Sequence, residues 1–392
     1  MEEFFSEHLN EFKKLRHDFH KNPELGFKED RTASKVKAFL SSLDLPFVTG
    51  LGITGIVATV EGRLSDNGRR VGLRADMDAL PMHEKSSHDH CSETEGCMHA
   101  CGHDGHTTML LAVAKYLAAH RDFAGIIYLV FQPAEEGGGG GNEMVKNGLF
   151  EQFPMDAIFG LHNWPYIDAG KIAILDGPAM SSVDILGLEI KGVGGHGGAT
   201  PHFTTDPIRI AGTLIPALHS IISREIDPQE PAVLSLCSIQ AGQLSAFNVI
   251  PDTAQLSGTV RTFSKDVRDK IQLAVKRICA GVADSFGTEI IVDYQSIFPA
   301  TVNNIEKAVF VRNVIKDVFP QGTLDETVKP SMGGEDFSFM LNACPGAYVF
   351  LGSGKGDNPE PLHSPYFDFN DDVIPIGAKL LASIGLKSLS QD

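Results

Sequence analysis

"RRVGLRADMDALP", residues 69–81, reads as a short apolar strand that runs straight into a polar turn carrying Asp76 and Asp78. Three more segments have the same form: GIVATVEG (55–62), GIIYLVFQPAEEG (125–137) and DAIFGLHNWP (156–165). Apolar runs of this length mark strands buried on both faces of a sheet. Helical patterns lie between them. After Thr107, the run MLLAVAKYLAAH puts Leu110, Ala114, Leu117 and Ala118 on one face, and Phe5, Leu9, Phe12 and Leu15 predict one amphipathic helix at the start. Strands alternating with helices predict an α/β fold, a mostly parallel sheet sandwiched by helices.

The rhythm changes near residue 183. VDILGLEIKG (183–192) alternates as a half-buried strand, 206–226 reads as a helix, and AVLSLCSIQAG (232–242) and TAQLSGTVRTF (253–263) read as strands. A helix over 265–286 and a strand over 288–296 complete a βαββαβ order, the split ferredoxin-like pattern of one antiparallel sheet with two helices on a face. From about 298 the first style resumes, with strand AYVFLGSG (347–354) and a final helix. The expected organisation is a discontinuous domain, 1–181 and 298–392, interrupted by a second over 182–297.

Composition narrows the function. With 33 Lys and Arg against 50 Asp and Glu, the formal net charge is −17, so a nucleic-acid partner is not expected. No apolar run is long enough to span a bilayer. The start, MEEFFSEHLNEF, opens on acids and lacks the apolar core of a signal peptide. Six cysteines are sparse for 392 residues, and three crowd one loop, so a disulfide framework is not expected. The chain reads as a cytoplasmic protein that needs no membrane.

Chemistry gathers where strands end. Asp76 and Asp78 follow one strand, Glu135 and Glu136 the next and His162 a third, while His363 follows AYVFLGSG. In an open α/β sheet, side chains beyond the carboxyl ends of the strands meet at one edge. The loop CMHACGHDGHTTML (97–110) would join them at a helix N-terminus, where the helix dipole is expected to favour a thiolate at Cys101. The chain has no C-x-x-C, which argues against a zinc knuckle or a redox loop, and it lacks the H-x-E and P-C-x-x-C of zinc deaminases. A mixed set of thiol, imidazoles and carboxylates from distant segments instead suits a catalytic divalent-metal site. Two adjacent glutamates suggest a division of labour: one binds metal while the other takes a proton from water.

Read in order, LRADMDALP, MHACGHDGHTTML, FQPAEEGGGG, GLHNWP, GVGGHGGATPH, FNVIPD, GTVRTF, SMGGEDFSFM and PLHSPYF resemble the dinuclear-metal amidohydrolases of the aminoacylase/carboxypeptidase group. Within that group the chain is most similar to the bacterial hippurate hydrolases, the N-acyl-L-amino-acid amidohydrolases and the plant auxin-conjugate hydrolases. The resemblance covers nearly the whole chain and implies that 182–297 is a lid or dimerisation domain. It implies Cys101, His103, Glu136, His162 and His363 as ligands of two divalent ions, zinc or manganese, with cobalt and nickel also compatible. Glu135 matches the general base, and Asp78 an acid that orients a ligand. His196 matches a histidine that steadies the oxyanion, in relatives sometimes from the partner subunit, and Asn248 a residue that contacts substrate. Glu335 and Asp336 belong to a family motif without an assigned role. The implied activity is hydrolysis of N-acyl amino acids by a homodimer or homotetramer. The alternatives are a metallo-carboxypeptidase or dipeptidase of the same architecture and, from another class, a non-catalytic metal-binding protein.

Three features depart from the pattern. Other branches place a histidine where Asp76 stands, which suggests rewiring of the metal's surroundings. GGHGGATPH replaces the usual GGHAAMPH, and Gly197 and Gly198 are expected to loosen that loop. MHEKSSHDHCSETEGC (82–97) is unusually rich in histidine and cysteine; it reads as a variable surface loop or as accessory metal capture.

Overall fold

Every residue of the strand Arg70–Asp76 except Arg70 is buried, so both of its faces have left water, as its unbroken apolar run predicts. The computed structural model describes residues 1–356 and 359–390. The chain forms two compact units: Met1–Ala179 with Val302–Pro330 and Asp336–Asp392, and Met180–Thr301 with Ser331–Glu335.

In the first unit a seven-stranded sheet runs in the order Phe47–Leu51, Gly55–Glu61, Ile126–Gln132, Arg70–Asp76, Ala157–Asp168, Gly346–Gly354 and Ile172–Ile174. Its four central strands are parallel neighbours. The edges depart from the parallel expectation. Gly55–Glu61 pairs antiparallel on both sides and Ile172–Ile174 pairs antiparallel with Gly346–Gly354. Phe47–Leu51 and Gly55–Glu61 are joined by a tight turn with Gly52 and Ile53 at positive φ, and so short a link cannot make a parallel crossover.

The helix His103–Ala119 is buried along most of its length and packs against both Leu9–Lys21 and Ile374–Leu389. It begins one turn earlier than the apolar pattern after Thr107 predicts, so Cys101 directly precedes its cap. Gly102 there has φ 95°, and a Cβ would stand 2.2 Å from the Asn163 carboxamide oxygen, which restricts the position to glycine. The first helix is broken in two, Glu2–Glu7 and Leu9–Lys21. His8 sits at the break with φ −94° and ψ 2°, and its Nδ1 lies 2.8 Å from the Phe4 carbonyl.

The second unit holds a four-stranded antiparallel sheet, Ala232–Ala241, Thr253–Thr262, Val183–Lys191 and Ile290–Phe298 in spatial order. The helices Pro207–Glu225 and Lys265–Phe286 share its core through Leu214, Leu218, Ile271 and Val275. The first strand lies between the third and fourth in chain order, as the split βαββαβ connection requires. Among the described residues no helix is long and apolar enough to cross a membrane.

Candidate metal centre

The register of the four parallel strands sets one row of side chains. Asp76 pairs with Gln132 and His162 with Phe350, while Arg74 opposite Gly160 brings Asp76 level with His162 two residues on. His162 is not at the end of its strand, as the sequence suggested. The strand continues to Asp168, and only its pairing with Arg70–Asp76 stops, at Gly160. The imidazole thus emerges where the ladder to one neighbour has ended.

Four loops complete the cluster. After Gln132 the chain turns at Ala134, whose φ of 51° is uncommon for a residue with a side chain, and Glu135 and Glu136 follow. The Ala134 amide donates to Glu29 Oε1 at 2.8 Å, and the Glu136 amide to Asp78 Oδ2 at 2.9 Å. His363, also at positive φ (65°), donates its amide to the Ala100 carbonyl at 2.8 Å, which ties its loop to the one carrying Cys101. Such backbone outliers concentrate at functional sites because the surroundings must hold them.

The donors fall into two overlapping groups, Cys101 with His103 and His162, and Cys101 with Glu136 and His363. In each the ligand-capable atoms lie within 4.8 Å of one another. Cys101 Sγ is 3.3 Å from His162 Nε2, and His363 Nε2 is 3.2 Å from Glu136 Oε1. Each buried imidazole is oriented from behind. His103 Nδ1 donates to the Asp78 carbonyl at 3.0 Å, with Asp78 Oδ1 at 3.2 Å, and His162 Nδ1 donates to the Asn163 carbonyl at 2.7 Å. Each ring then presents Nε2 inward, the arrangement that fixes the tautomer of metal-binding histidines. His103 Nε2 is buried without a hydrogen-bond partner among the described residues, although Asp76 lies at 3.7 Å and Glu135 and Glu136 at 4.0 Å. A bare nitrogen facing three carboxylates fits a cation.

The electrostatics agree. Burial drives the Cys101 thiol well above its usual range, and Glu136, Glu135 and Asp76 add to the effect. This overturns the thiolate expected from the helix dipole, because desolvation and three acids outweigh partial charges at a helix end. Burial opposes protonation of His103, but Asp76, Asp78 and Glu136 prevail and raise it to about 10. Burial and the neighbouring His106 keep His162 neutral. A divalent ion would take the place of the protons that Cys101 and His103 hold.

Asp76 is engaged on both oxygens, accepting from His106 Nδ1 at 2.6 Å and from Arg74 at 2.7 Å. His106 Nε2 lies 2.6 Å from Asn163 Oδ1, so His106 braces two strands rather than facing Cys101. Asp336 accepts from Gln132 at 2.6 Å, from the Gly141 amide at 2.7 Å and from Arg74 at 3.3 Å. Sequence reasoning passed over Arg74, Gln132 and Asn163. Their signal was a charged or amide side chain inside an otherwise apolar strand. Glu335 is buried, and its carbonyl accepts from Thr301 at 3.3 Å.

His196 and Asn248 lie together in the second unit. His196 pairs with Val249 across a two-residue ladder, and the Gly197 amide donates to the Asn248 carbonyl at 2.8 Å. His196 is exposed, and its Nδ1 accepts from the amides of Gly198 and Ala199, both at 3.2 Å. Gly197 and Gly198 do not adopt positive φ, so the glycines are not required by the backbone there.

Comparison with known proteins places these features in context. Residues 72–387 match the family described as peptidase family M20/M25/M40. The chain is 41% identical to hippurate hydrolase of Campylobacter jejuni over 379 residues, 97% of each chain. It is 38% identical to thermostable carboxypeptidase 2 of Saccharolobus solfataricus, covering 95% of this chain and 94% of that one. The Bacillus subtilis YXEP protein, described as a dinuclear metal binding peptidase from the M20 family, superposes with a TM-score of 0.85 at 30% identity, covering 99% of both chains.

Proposed function

The chain belongs to peptidase family M20/M25/M40 and is a metal-dependent amidohydrolase, and from that premise we propose that it cleaves the amide of N-acyl amino acids with Glu135 as general base. The observation that most supports this reading is the pairing of Glu136, 3.2 Å from His363, with an adjacent buried Glu135 4.0 Å from His103 Nε2. One carboxylate is assigned to metal binding and its neighbour to proton transfer.

Cys101, His103, Glu136, His162 and His363 would hold two divalent ions. When bound, the ions supply Lewis acidity to the acyl carbonyl and lower the pKa of water. Glu135 takes a proton from water as its oxygen adds to the acyl carbon, then delivers that proton to the departing amine as the C–N bond breaks. The products are a carboxylate and a free amino acid. His196 is assigned to the oxyanion. With Nδ1 accepting two amide hydrogens, the ring hydrogen lies on Nε2, the donor that a developing oxyanion needs. Asn248 is assigned to substrate contact. A sulfur ligand favours zinc, while the nitrogen and oxygen ligands also accept manganese, cobalt or nickel.

We place the protein in the cytoplasm, since six free cysteines suit a reducing compartment. Exposed Phe203, Leu244 and Phe247 in the second unit support self-association as a homodimer or homotetramer.

The likeness to a carboxypeptidase supports a second reading, peptide cleavage at a free C-terminus. A screen of benzoyl- and acetyl-amino acids against dipeptides, run with zinc, manganese, cobalt and nickel, separates the two. The first reading predicts higher kcat/KM for acyl amino acids; faster turnover of dipeptides would replace it with the second.

A further inference from the structure

The loop 82–97 packs His88 and His90 against His17 and His20 of the helix Leu9–Lys21, while its His83 is exposed. The loop is laced to the helix end, where the Glu93 amide donates to the Lys21 carbonyl at 2.7 Å. Within it the Ser92 amide donates to Glu84 Oε2 at 2.6 Å, which turns Glu84 Oε1 toward two imidazoles. His20 Nε2 stands 3.4 Å from that oxygen and His88 Nε2 3.1 Å. The three donor atoms lie within 4.8 Å of one another. None of these residues takes part in the proposed hydrolysis.

Their orientation is that of ligands. His20 Nδ1 donates to Asp104 Oδ2 at 2.8 Å and its Nε2 donates to Glu84 Oε1 at 3.4 Å, so Nε2 is the atom that would face an ion once the ion takes the place of that proton. The His88 ring stacks on His90 at 3.8 Å between centroids, and His90 stacks on His17 at the same distance, a column that sets the plane of His88. His88 Nε2 is buried and has no hydrogen-bond partner among the described residues. Cys91 Sγ lies 3.5 Å from His88 Nδ1. A second grouping, His88 with His90 and Asp368, is also close. There, however, Arg16 donates to His90 Nε2 at 2.9 Å, and a fixed guanidinium repels a cation.

We propose that His20, Glu84 and His88 form an accessory site for one zinc-class divalent ion, separate from the hydrolytic centre, which staples the 82–97 loop to the helix Leu9–Lys21. Two imidazoles and one carboxylate are a common ligand set for zinc, with a fourth position left to water or to Cys91. Through His20 the ion would also brace Asp104, in the first turn of the helix that starts at His103. This site does not rest on the catalytic reading.

The test is metal content of the full chain, stripped with chelator, reloaded with excess zinc and desalted, for wild type, Glu84→Gln and His88→Ala. Each variant should hold about one zinc fewer per chain than wild type, and should lose the extra thermal stability that zinc confers while matching wild type in chelator. Equal zinc content in all three proteins would overturn the proposal. Should a variant fail to fold, His103→Gln provides the complementary measurement. It weakens the hydrolytic centre and should still bind about one zinc, with residues 82–97 protected from hydrogen exchange only when zinc is present. Absence of both signals is equally fatal to the proposal, whatever the enzyme hydrolyses.

Discussion

Cys101 and His162 are 61 residues apart in the chain and 3.3 Å apart between Sγ and Nε2. The contact exists because a loop entering the helix His103–Ala119 lies over a strand whose pairing with Arg70–Asp76 has just stopped. Both groups are neutral in this environment, the thiol through burial and nearby acids and the imidazole through burial and His106. Zinc binding should therefore release protons, from Cys101 and from the raised His103. Titration of the stripped protein with zinc in weak buffer and a pH dye should record proton release. Binding without it would contradict Cys101 as a ligand.

Chelation should abolish hydrolysis and lower the thermal midpoint, because a ligand bound only to the folded state stabilises it by mass action. Zinc or manganese should restore both. Full activity in protein shown to be metal-free would remove the basis of the proposed mechanism.

Glu135→Gln should keep its metal and lose turnover on the order of a hundred- to ten-thousandfold, the usual contribution of a general base. The substitution preserves shape and removes only the proton acceptor. Metal analysis beside kcat checks it, and a variant with more than about a tenth of wild-type kcat would exclude Glu135 from that role.

Asp78→Asn should act on affinity before rate. Asp78 holds His103 Nδ1 and the Glu136 amide, and loss of such outer partners typically weakens metal binding roughly ten- to hundredfold. Competition with a chromogenic chelator measures the loss, and kcat at saturating metal should fall less than affinity does.

Asp336→Ala should destabilise the first unit by about 3–5 kcal/mol, since it strips a buried guanidinium, an amide side chain and a backbone N–H of one shared acceptor. Urea unfolding followed by circular dichroism provides the value. A change below about 1 kcal/mol would mean that Arg74 finds full compensation elsewhere.

Thiol chemistry should sort by burial. Cys237 is exposed and should react first with a disulfide reagent at pH 8. Burial raises Cys279 to about 11 and Cys344 to about 12, so both should resist until the protein unfolds. The sign for stability follows. The folded chain keeps these protons while the unfolded chain loses them near the ordinary thiol value of 9.0, so their contribution is complete below that pH and disappears as pH climbs toward 11 to 12. Denaturant midpoints should fall over that window, and a Cys279→Ala, Cys344→Ala double variant should fall less.

Much of this could be read without coordinates. Period and length located the buried strands and the βαββαβ unit because apolar side chains must leave water, and two-residue and 3.6-residue repeats are the only regular ways for a backbone to bury them. Motif order named the family. Other features were hidden in pairings that a linear pattern does not encode. The antiparallel edges follow from a turn too short to cross over, and His162 sits in mid-strand because pairing with Gly346–Gly354 carries its strand on to Asp168. The neutral Cys101 escaped prediction for a related reason. A helix dipole is visible in sequence, whereas desolvation by a folded interior and the summed field of Glu135, Glu136 and Asp76 are not.

The sequence by itself determined which chemical groups this protein owns and roughly which elements carry them, since residue type and hydrophobic period are local properties. Tertiary structure alone decided which of fifteen histidines present Nε2 to other ligand-capable groups, because ring orientation depends on what stands behind the ring: Asp78 behind His103, the Asn163 carbonyl behind His162, Asp104 behind His20. Those partners come from distant segments, and only the packing of the folded chain brings them within hydrogen-bond reach.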